Sequence, residues 1–396
     1  MGMGIQAFST IKKIELSEKD KIYDIAVIGG GLAGLTLAIQ SANAGYQTIL
    51  FEKESYPFHK VCGEYISMES YDFLSQCGVP LQEWDLPMIS KLHISDCEGK
   101  LYEFRLPLGG FGISRFKLDH TLATIAKQKQ VELCEETKVE DVLFQNDLFT
   151  IDTKNKKYTA KLVAGSFGKR SNLDIKWGRK FSLKSKNRLN NYIGVKYHIK
   201  YDIAKDLIAL HNFQNGYCGI SKIEDDICCV CYLTTADQLS YAGNTIEKLE
   251  ATVLSKNQAL AEIFSKAQFL YEKPLTIAQI SFDQKEQVEN HLLMVGDAAG
   301  LITPLCGNGM SMAMHASSLA FQQMKLFLEG SITRKQMEKQ YSKFWKKQFS
   351  KRLAIGRLVQ SFFGNPFVTR IFLSTISKTP RLANWLIRQT HGSSFS

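Results

Sequence analysis

The sequence predicts an α/β protein: a parallel-sheet unit, an antiparallel β-rich unit inserted into it, and a helical C-terminal region. Three observations predict this. A strand, a helix and a second strand follow one another between Asp24 and Phe51, the order of a βαβ unit whose strands run parallel. Residues 181–282 are rich in alternating β-type segments such as 192–199 and 227–233, which suggests an antiparallel sheet. After Ser331, apolar residues recur at helical spacing and the charge becomes almost wholly basic.

Taken in order, residues 1–21 show no sustained periodicity and form a mostly polar extension. Residues 24–28 are the continuous apolar run of a buried strand, Leu32, Leu35, Ile39 and Ala42 follow at helical spacing, Gly45 ends the helix, and 47–51 is the second strand. A helix is expected over 118–127 and strands over 148–151 and 158–164. A strand at 292–295 leads through a Gly- and Pro-rich turn into a long helix from Gly309 to Leu328. These elements divide the chain into a parallel-sheet unit from 23–75, 111–178 and 283–330, a substrate unit from 76–110 and 179–282, and a basic helical region, 331–396. No internal repeat or low-complexity tract interrupts them.

A composition of 44% hydrophobic and 22% charged residues over 396 positions excludes disorder, collagen and a disulfide miniprotein. Nine sparse cysteines, without a basic-then-apolar leader, predict reduced thiols in a cytoplasmic protein. No apolar run reaches the roughly 18–20 residues of a spanning helix. The net charge of +10 is uneven: from Ser331 onward it is +12, with Glu338 as the one acid, and before that it is −2. The basic character belongs to the tail, where no nucleic-acid recognition motif accompanies it, so no nucleic-acid partner is expected.

Gly29-Gly30-Gly31-Leu32-Ala33-Gly34 matches G-x-G-x-x-G directly between a predicted strand and a predicted helix. Gly29 permits a tight turn, Gly31 lets the backbone approach a pyrophosphate, Gly34 allows close helix–strand packing, and the helix N-terminus meets the anion. Glu52, closing the second strand, can accept the ribose hydroxyls of an adenosine and disfavours a 2′-phosphate. A second motif decides between dinucleotides. Leu293 to Gly300 places Asp297 at a strand-to-turn junction, followed by Pro304, Gly307, Gly309 and a helix. A carboxylate there can hold a polyol hydroxyl, and the helix N-terminus can stabilise charge on a nearby heteroaromatic ring, as reduced flavin carries. The two motifs fit opposite ends of FAD, held without a covalent bond.

With these residues the chain resembles the flavoprotein superfamily that contains the group A flavin monooxygenases (aromatic hydroxylases), the geranylgeranyl reductases and the flavin halogenases, over most of 23–320. The fingerprint with Glu52 resembles their ADP-binding end and Gly296-Asp297 their ribityl motif. Arg115, within Ile113 to Asp119, resembles the arginine that reaches the FAD, and Val61-Cys62-Gly63-Glu64 after Tyr56-Pro57 resembles the segment after the second strand in the geranylgeranyl-reductase-like branch. The resemblance implies a Rossmann-like FAD-binding domain. It also implies FAD contacts from Gly29, Gly31, Leu32, Ala33 and Gly34, from Glu52, Lys53, Cys62, Arg115 and Val139, and from Gly296, Asp297, Pro304, Gly307, Asn308 and Gly309.

Departures bound what is carried over. Phe167 stands where the aromatic hydroxylases have an acid, the tryptophans are isolated rather than paired as in halogenases, and Gly216 to Ser221 keeps only Tyr217 of the reductases' Tyr-x-Trp-x-Phe-Pro substrate motif. Cys62 and Tyr217 are the candidate catalytic residues, and His59, His211 and His315 are candidates to line the substrate cavity. Cys228 and Cys231 have a C-x-x-C spacing in a strand-like run where they face opposite sides, so packing is expected and no metal is assigned. The reading is an FAD-dependent oxidoreductase using NAD(P)H. A monooxygenase working through a flavin C4a-hydroperoxide on an apolar or aromatic small molecule is preferred. The alternatives are a reductase delivering hydride from N5 to polyprenyl or other apolar C=C bonds, and a non-catalytic flavin-binding, membrane-associated protein. Met337, Tyr341, Phe344, Trp345, Phe349 and Leu353 share one helical face beside basic residues; the face is expected either to lie on an anionic membrane or to pack on the FAD domain.

Overall fold

The computed structural model describes residues 21–183, 191–280, 282–301 and 307–395. The N-terminal extension to residue 20, and Pro304, lie outside them.

Among the described residues the first sheet has eight strands. Ile22–Ile28 sits at its centre, parallel to Thr48–Phe51 on one side and Lys157–Gly165 on the other. Glu132–Cys134 and Leu292–Met294 extend it in parallel at either side, so segments far apart in sequence share one sheet. The central strand is apolar without interruption because helices cover the sheet. The fingerprint helix, Leu32–Asn43, packs against both Arg115–Gln128 and Gly309–Leu328.

The second sheet has nine strands among the described residues. It is antiparallel except that Leu207–Phe213 runs parallel to Met88–Ser95. The exception has a physical cause: Met88–Ser95 arrives from an earlier stretch of chain, so no hairpin dictates its direction. The sheet's far edge is Tyr65–Ser67, paired with Leu101–Gly112. Helices at Ala236–Tyr241, Ile246–Thr252 and Gln258–Lys266, which the alternating pattern hid, cover its back with Leu249, Val253, Leu260 and Ile263.

The C-terminal region forms three helices, Arg334–Ser361, Pro366–Ser377 and Pro380–Thr390. On the first of them, Met337, Tyr341, Trp345, Phe349 and Leu353 are buried in the main core, and Tyr341 donates to the Met294 carbonyl at 2.5 Å. The stripe packs on the nucleotide-binding unit and does not face a membrane; only Phe344 is exposed. No helix among the described residues is long and apolar enough to cross a membrane.

Candidate functional site

The fingerprint loop leaves the central strand with Gly29 at φ +104°, where a side chain would meet the Ser166 carbonyl. A methyl on Gly34 would fall 2.0 Å from the Gly29 carbonyl oxygen, so helix and turn are in backbone contact. Gly31 differs. A methyl there would find only the Arg115 Nη2 at 3.8 Å and the Lys60 Nζ at 3.9 Å, an open cradle with two cations above it. Arg115 forks onto Asp119 with both bonds at 2.7 Å, and Lys60 reaches the same carboxylate at 3.1 Å. Two cations on one carboxylate leave a positive charge over the glycine loop. Burial would raise the Asp119 carboxyl, but Arg115 and Lys60 outweigh it and hold it below its usual range. Glu52 closes the loop, accepting from the Gly30 amide at 2.8 Å and the Glu54 amide at 3.1 Å. Leu32, Ala33, Lys53 and Val139 line the same cavity.

The second motif abuts this one. Gly296, at φ +62°, is so close to the fingerprint helix that a methyl on it would lie 3.1 Å from Ala33 Cβ. Asp297 faces the cavity, and its carbonyl accepts from the buried Lys285 amine at 2.8 Å. Gly307 lies against Tyr65, and Gly309 opens the helix Gly309–Leu328 with its amides towards the cavity end. Asn308 is turned away. It is fully buried outside the cavity lining and donates to the Thr390 carbonyl at 2.6 Å, so within the chain it anchors the last helix.

The cavity has a volume of about 1180 Å³, above the roughly 300–1,000 Å³ of ordinary small-molecule sites. Beyond the glycine motifs its floor is one face of the second sheet. Alternation with period two brings Leu92, Ile208, Leu210, Tyr217, Gly219 and Leu233 to that face from neighbouring strands. Phe372, Ile376, Ala383, Leu386 and Ile387 of the two last helices form the opposing wall. Cys62 and Tyr217 both line the cavity, as do Phe167 and Cys231. Cys228 faces the other side of the sheet, with its thiol on the Tyr201 carbonyl at 3.4 Å.

Of the three histidines expected at the cavity, only His59 lines it. His211 is sealed behind the sheet on Ser95 Oγ at 3.0 Å, where burial lowers its pKa to about 4. His315 stacks on Phe395 with ring centres 4.2 Å apart, and burial likewise lowers its pKa to about 4. A histidine that sequence reasoning missed, His391, does line the cavity: its Nδ1 lies 2.8 Å from the Ile387 carbonyl, which leaves Nε2 as an acceptor.

Sequence reasoning also missed a buried polar cluster. Glu64, at φ +55° and fully buried, accepts from the Arg115 amide at 2.8 Å, from Lys196 Nζ at 2.5 Å and from His198 Nε2 at 2.6 Å. Lys196 and His198 are two apart on one strand and so share the face turned towards Glu64. Burial would raise the Glu64 carboxyl; the His198 hydrogen bond and the Lys196 charge outweigh it and hold it below the usual carboxylate range. Glu64, His198 and Cys229 place their donor atoms within 4.8 Å of one another, a spacing that would suit a cation. Lys196 already supplies that cation.

Comparison with known proteins agrees with this geometry. A domain family described as "FAD binding domain" matches residues 24–59, the strand, glycine loop and helix that carry the cradle. Digeranylgeranylglycerophospholipid reductase 2 of Methanopyrus kandleri is 24% identical, over 83% of each chain. Two solved structures share the fold: a geranylgeranyl bacteriochlorophyll reductase-like protein of Thermoplasma acidophilum (TM-score 0.70, 20% identity, 94% and 92% of the chains) and the flavin-dependent brominase Bmp2 (0.75, 17%, 95% of each). The chain shares the fold of these flavin-dependent proteins, and its residues 24–59 match an FAD binding domain. Conditioned medium factor receptor 1 of Dictyostelium discoideum is 25% identical, over 97% of this chain and 83% of that one. The residues present fit FAD: an open glycine cradle under a net positive charge, and a second motif in contact with it. Bound there, FAD would supply two-electron redox chemistry. The chain's own residues would hold its phosphates at Gly31, Arg115 and Lys60 and its polyol at Asp297.

Proposed function

We propose that this protein is an FAD-dependent reductase of C=C bonds in a long apolar, polyprenyl-like molecule. The observation that carries the reading is the cavity beyond the glycine motifs, which is walled by aliphatic and aromatic side chains from Leu92 to Leu386. Such walls select by burial of apolar area, about 25 cal/mol per Å², and offer little to orient a small polar ring. Cys62, Tyr217 and His391 border the cavity as candidates to hold or move a proton, which reduction of a double bond needs beside the hydride. The reductase name of the Methanopyrus relative points the same way. NADH and NADPH serve as electron donors by transient docking, since the one dinucleotide fingerprint holds FAD.

The test is anaerobic. The NAD(P)H- or dithionite-reduced protein, mixed with a polyprenyl lipid without oxygen, should return to the oxidised flavin spectrum and yield a product two mass units heavier per bond. Flavin that stays reduced until air enters, with a product sixteen units heavier, would instead establish the monooxygenase reading, which the brominase-like fold favours. Neither product with any apolar substrate would leave a binding protein, the reading closest to the receptor name of the Dictyostelium relative.

We further propose that the last two helices rest on an anionic membrane, where such a substrate resides. Their inner faces line the cavity, while Phe367, Ile371 and Trp385 point outward among basic residues.

A further inference from the structure

The buried cluster at Glu64 continues outward. Tyr271 places its hydroxyl 2.7 Å from His198 Nδ1 and 3.2 Å from His59 Nδ1. His59 is part-exposed, lines the cavity and stacks on the exposed Phe116 with ring centres 4.6 Å apart. A continuous chain of polar atoms therefore runs from His59 through Tyr271 and His198 to Glu64. Its inner end opens on the cavity, which Glu64 lines, and Tyr65, the next residue, lies against Gly307 at the helix N-terminus.

With His198 neutral, the direction of each hydrogen bond follows from the inner end. Glu64 is held ionised by Lys196 and the Arg115 amide, so its Oε2 accepts, and His198 donates from Nε2. The Nδ1 of the neutral His198 ring then accepts from Tyr271, whose oxygen lies 3.2 and 3.3 Å from the two His59 ring nitrogens and accepts from the one that carries the proton. All three donors point inward.

We propose that His59, Tyr271, His198 and Glu64 form a proton relay between solvent and the buried end of the cavity, with Lys196 as the clamp that sets its direction. The reading goes beyond the proposed reaction and serves either chemistry, since each consumes a proton in a cavity with apolar walls. One transfer balances without electrons. Glu64 gains the Nε2 proton, His198 gains the Tyr271 hydroxyl proton at Nδ1, Tyr271 gains the His59 proton, and solvent restores His59. The net movement is one proton inward, and Glu64, which lines the cavity and whose carboxyl is held below its usual range, passes that proton on to the reacting group rather than keeping it. Burial and the nearby Lys196 lower the His59 pKa, which favours giving its proton up. Lys196 also donates to the Lys60 carbonyl at 3.1 Å, so the clamp is tied to the loop that carries His59. Cys229 stands beside the cluster but is occupied by the Cys62 carbonyl at 3.3 Å.

The experiment reads the proton itself and needs no substrate. In the full-length FAD-loaded protein with 15N-labelled histidine, exchange of the His198 Nε2 proton with water is measured by NMR for the parent, Tyr271→Phe and His59→Gln. The relay predicts exchange at least fivefold slower in both variants. A purely structural role predicts the opposite sign, because losing a tie loosens the site and speeds exchange. Unchanged or faster exchange, or a slowing below fivefold in either folded variant, overturns the relay. If Tyr271→Phe fails to fold, the outer His59→Gln decides alone. The result stands apart from the reductase reading, since no turnover enters it.

Discussion

Lys285 bears directly on how the FAD site responds to pH. Its amine is buried and donates to the carbonyls of Lys169 and Asp297, at 2.7 and 2.8 Å, rather than to a carboxylate. Burial lowers its pKa from 10.5 to about 8, only partly opposed by Asp297 and Asp174. Between those values the unfolded chain binds a proton that the folded chain does not, so stability rises with pH through this window and the penalty is complete below its lower edge. A shift of that size corresponds to about 3 kcal/mol. Urea unfolding at about pH 7 and about pH 10 should show the parent gaining stability relative to Lys285→Met. Parallel pH dependences would show that the amine stays charged throughout. On the neighbouring Asp297, replacement by Ala should weaken FAD binding roughly tenfold to a hundredfold, the loss of one charge-assisted hydrogen bond of about 1.5–3 kcal/mol. Full flavin retention after dialysis would remove Asp297 from the polyol site. Asp297 was legible in the sequence because its strand–turn–helix context is local, whereas Lys285 sits in no motif and reveals itself only when the fold closes over it.

At the scale of elements, the helix Arg334–Ser361 is locked to the nucleotide-binding unit by more than its apolar stripe. Arg352 reaches Glu69 with Nη2 to Oε2 at 2.6 Å, and both side chains are almost wholly buried. Removing one partner strands the other charge, so Arg352→Met should cost about 3–5 kcal/mol, while adding Glu69→Leu should recover most of it. Equilibrium unfolding of the two variants decides; a single variant within about 1 kcal/mol of the parent would mean water reaches the pair. The helix itself was plain from Met337, Tyr341 and Trp345 at helical spacing, but its partner was not, because the same stripe suits a protein core or a lipid surface. The βαβ unit and the helix Gly309–Leu328 were equally plain, since strand, glycine loop and helix are contiguous. The short helices between Ala236 and Lys266 were hidden by the β-type run around them, although Ile246, Leu249 and Val253 carry a helical period. Nothing local could show that Tyr65–Ser67 joins the second sheet, or that Glu64 beside it meets Lys196 and His198. Those are long-range pairings between segments that are individually unremarkable.

For the whole molecule the question is where its basic charge faces. With the stripe of Arg334–Ser361 buried, and apart from Phe344 and Leu358 on that helix, the outward apolar surface of the tail belongs to the last two helices: Phe367 is 73% exposed, Ile371 51% and Trp385 51%. No acidic residue follows Glu338, and Lys378, Arg381 and Arg388 are exposed on or next to these helices. Arg370 is already engaged by Glu98 and Asp96. Aromatic and aliphatic side chains flanked by unopposed cations suit an anionic lipid interface, where each basic residue contributes about 1 kcal/mol and salt screens the attraction. The inner faces of the same helices line the apolar cavity, so a membrane-bound molecule would have only this wall to pass. The intact protein should therefore sediment with vesicles containing anionic lipid, less at high salt and little with neutral vesicles. Phe367→Ser, Ile371→Ser and Trp385→Ser together should reduce that binding at least tenfold while leaving the unfolding midpoint nearly unchanged, because these side chains contribute little to the core. Deleting everything after Gly330 would be a poor test, since it removes Tyr341, Trp345 and Phe349 from the main core and unfolds the protein. Equal vesicle binding by the triple variant and the parent would place the lipid contact elsewhere, and no binding by either would leave the two helices as a lid over a cavity filled from solution.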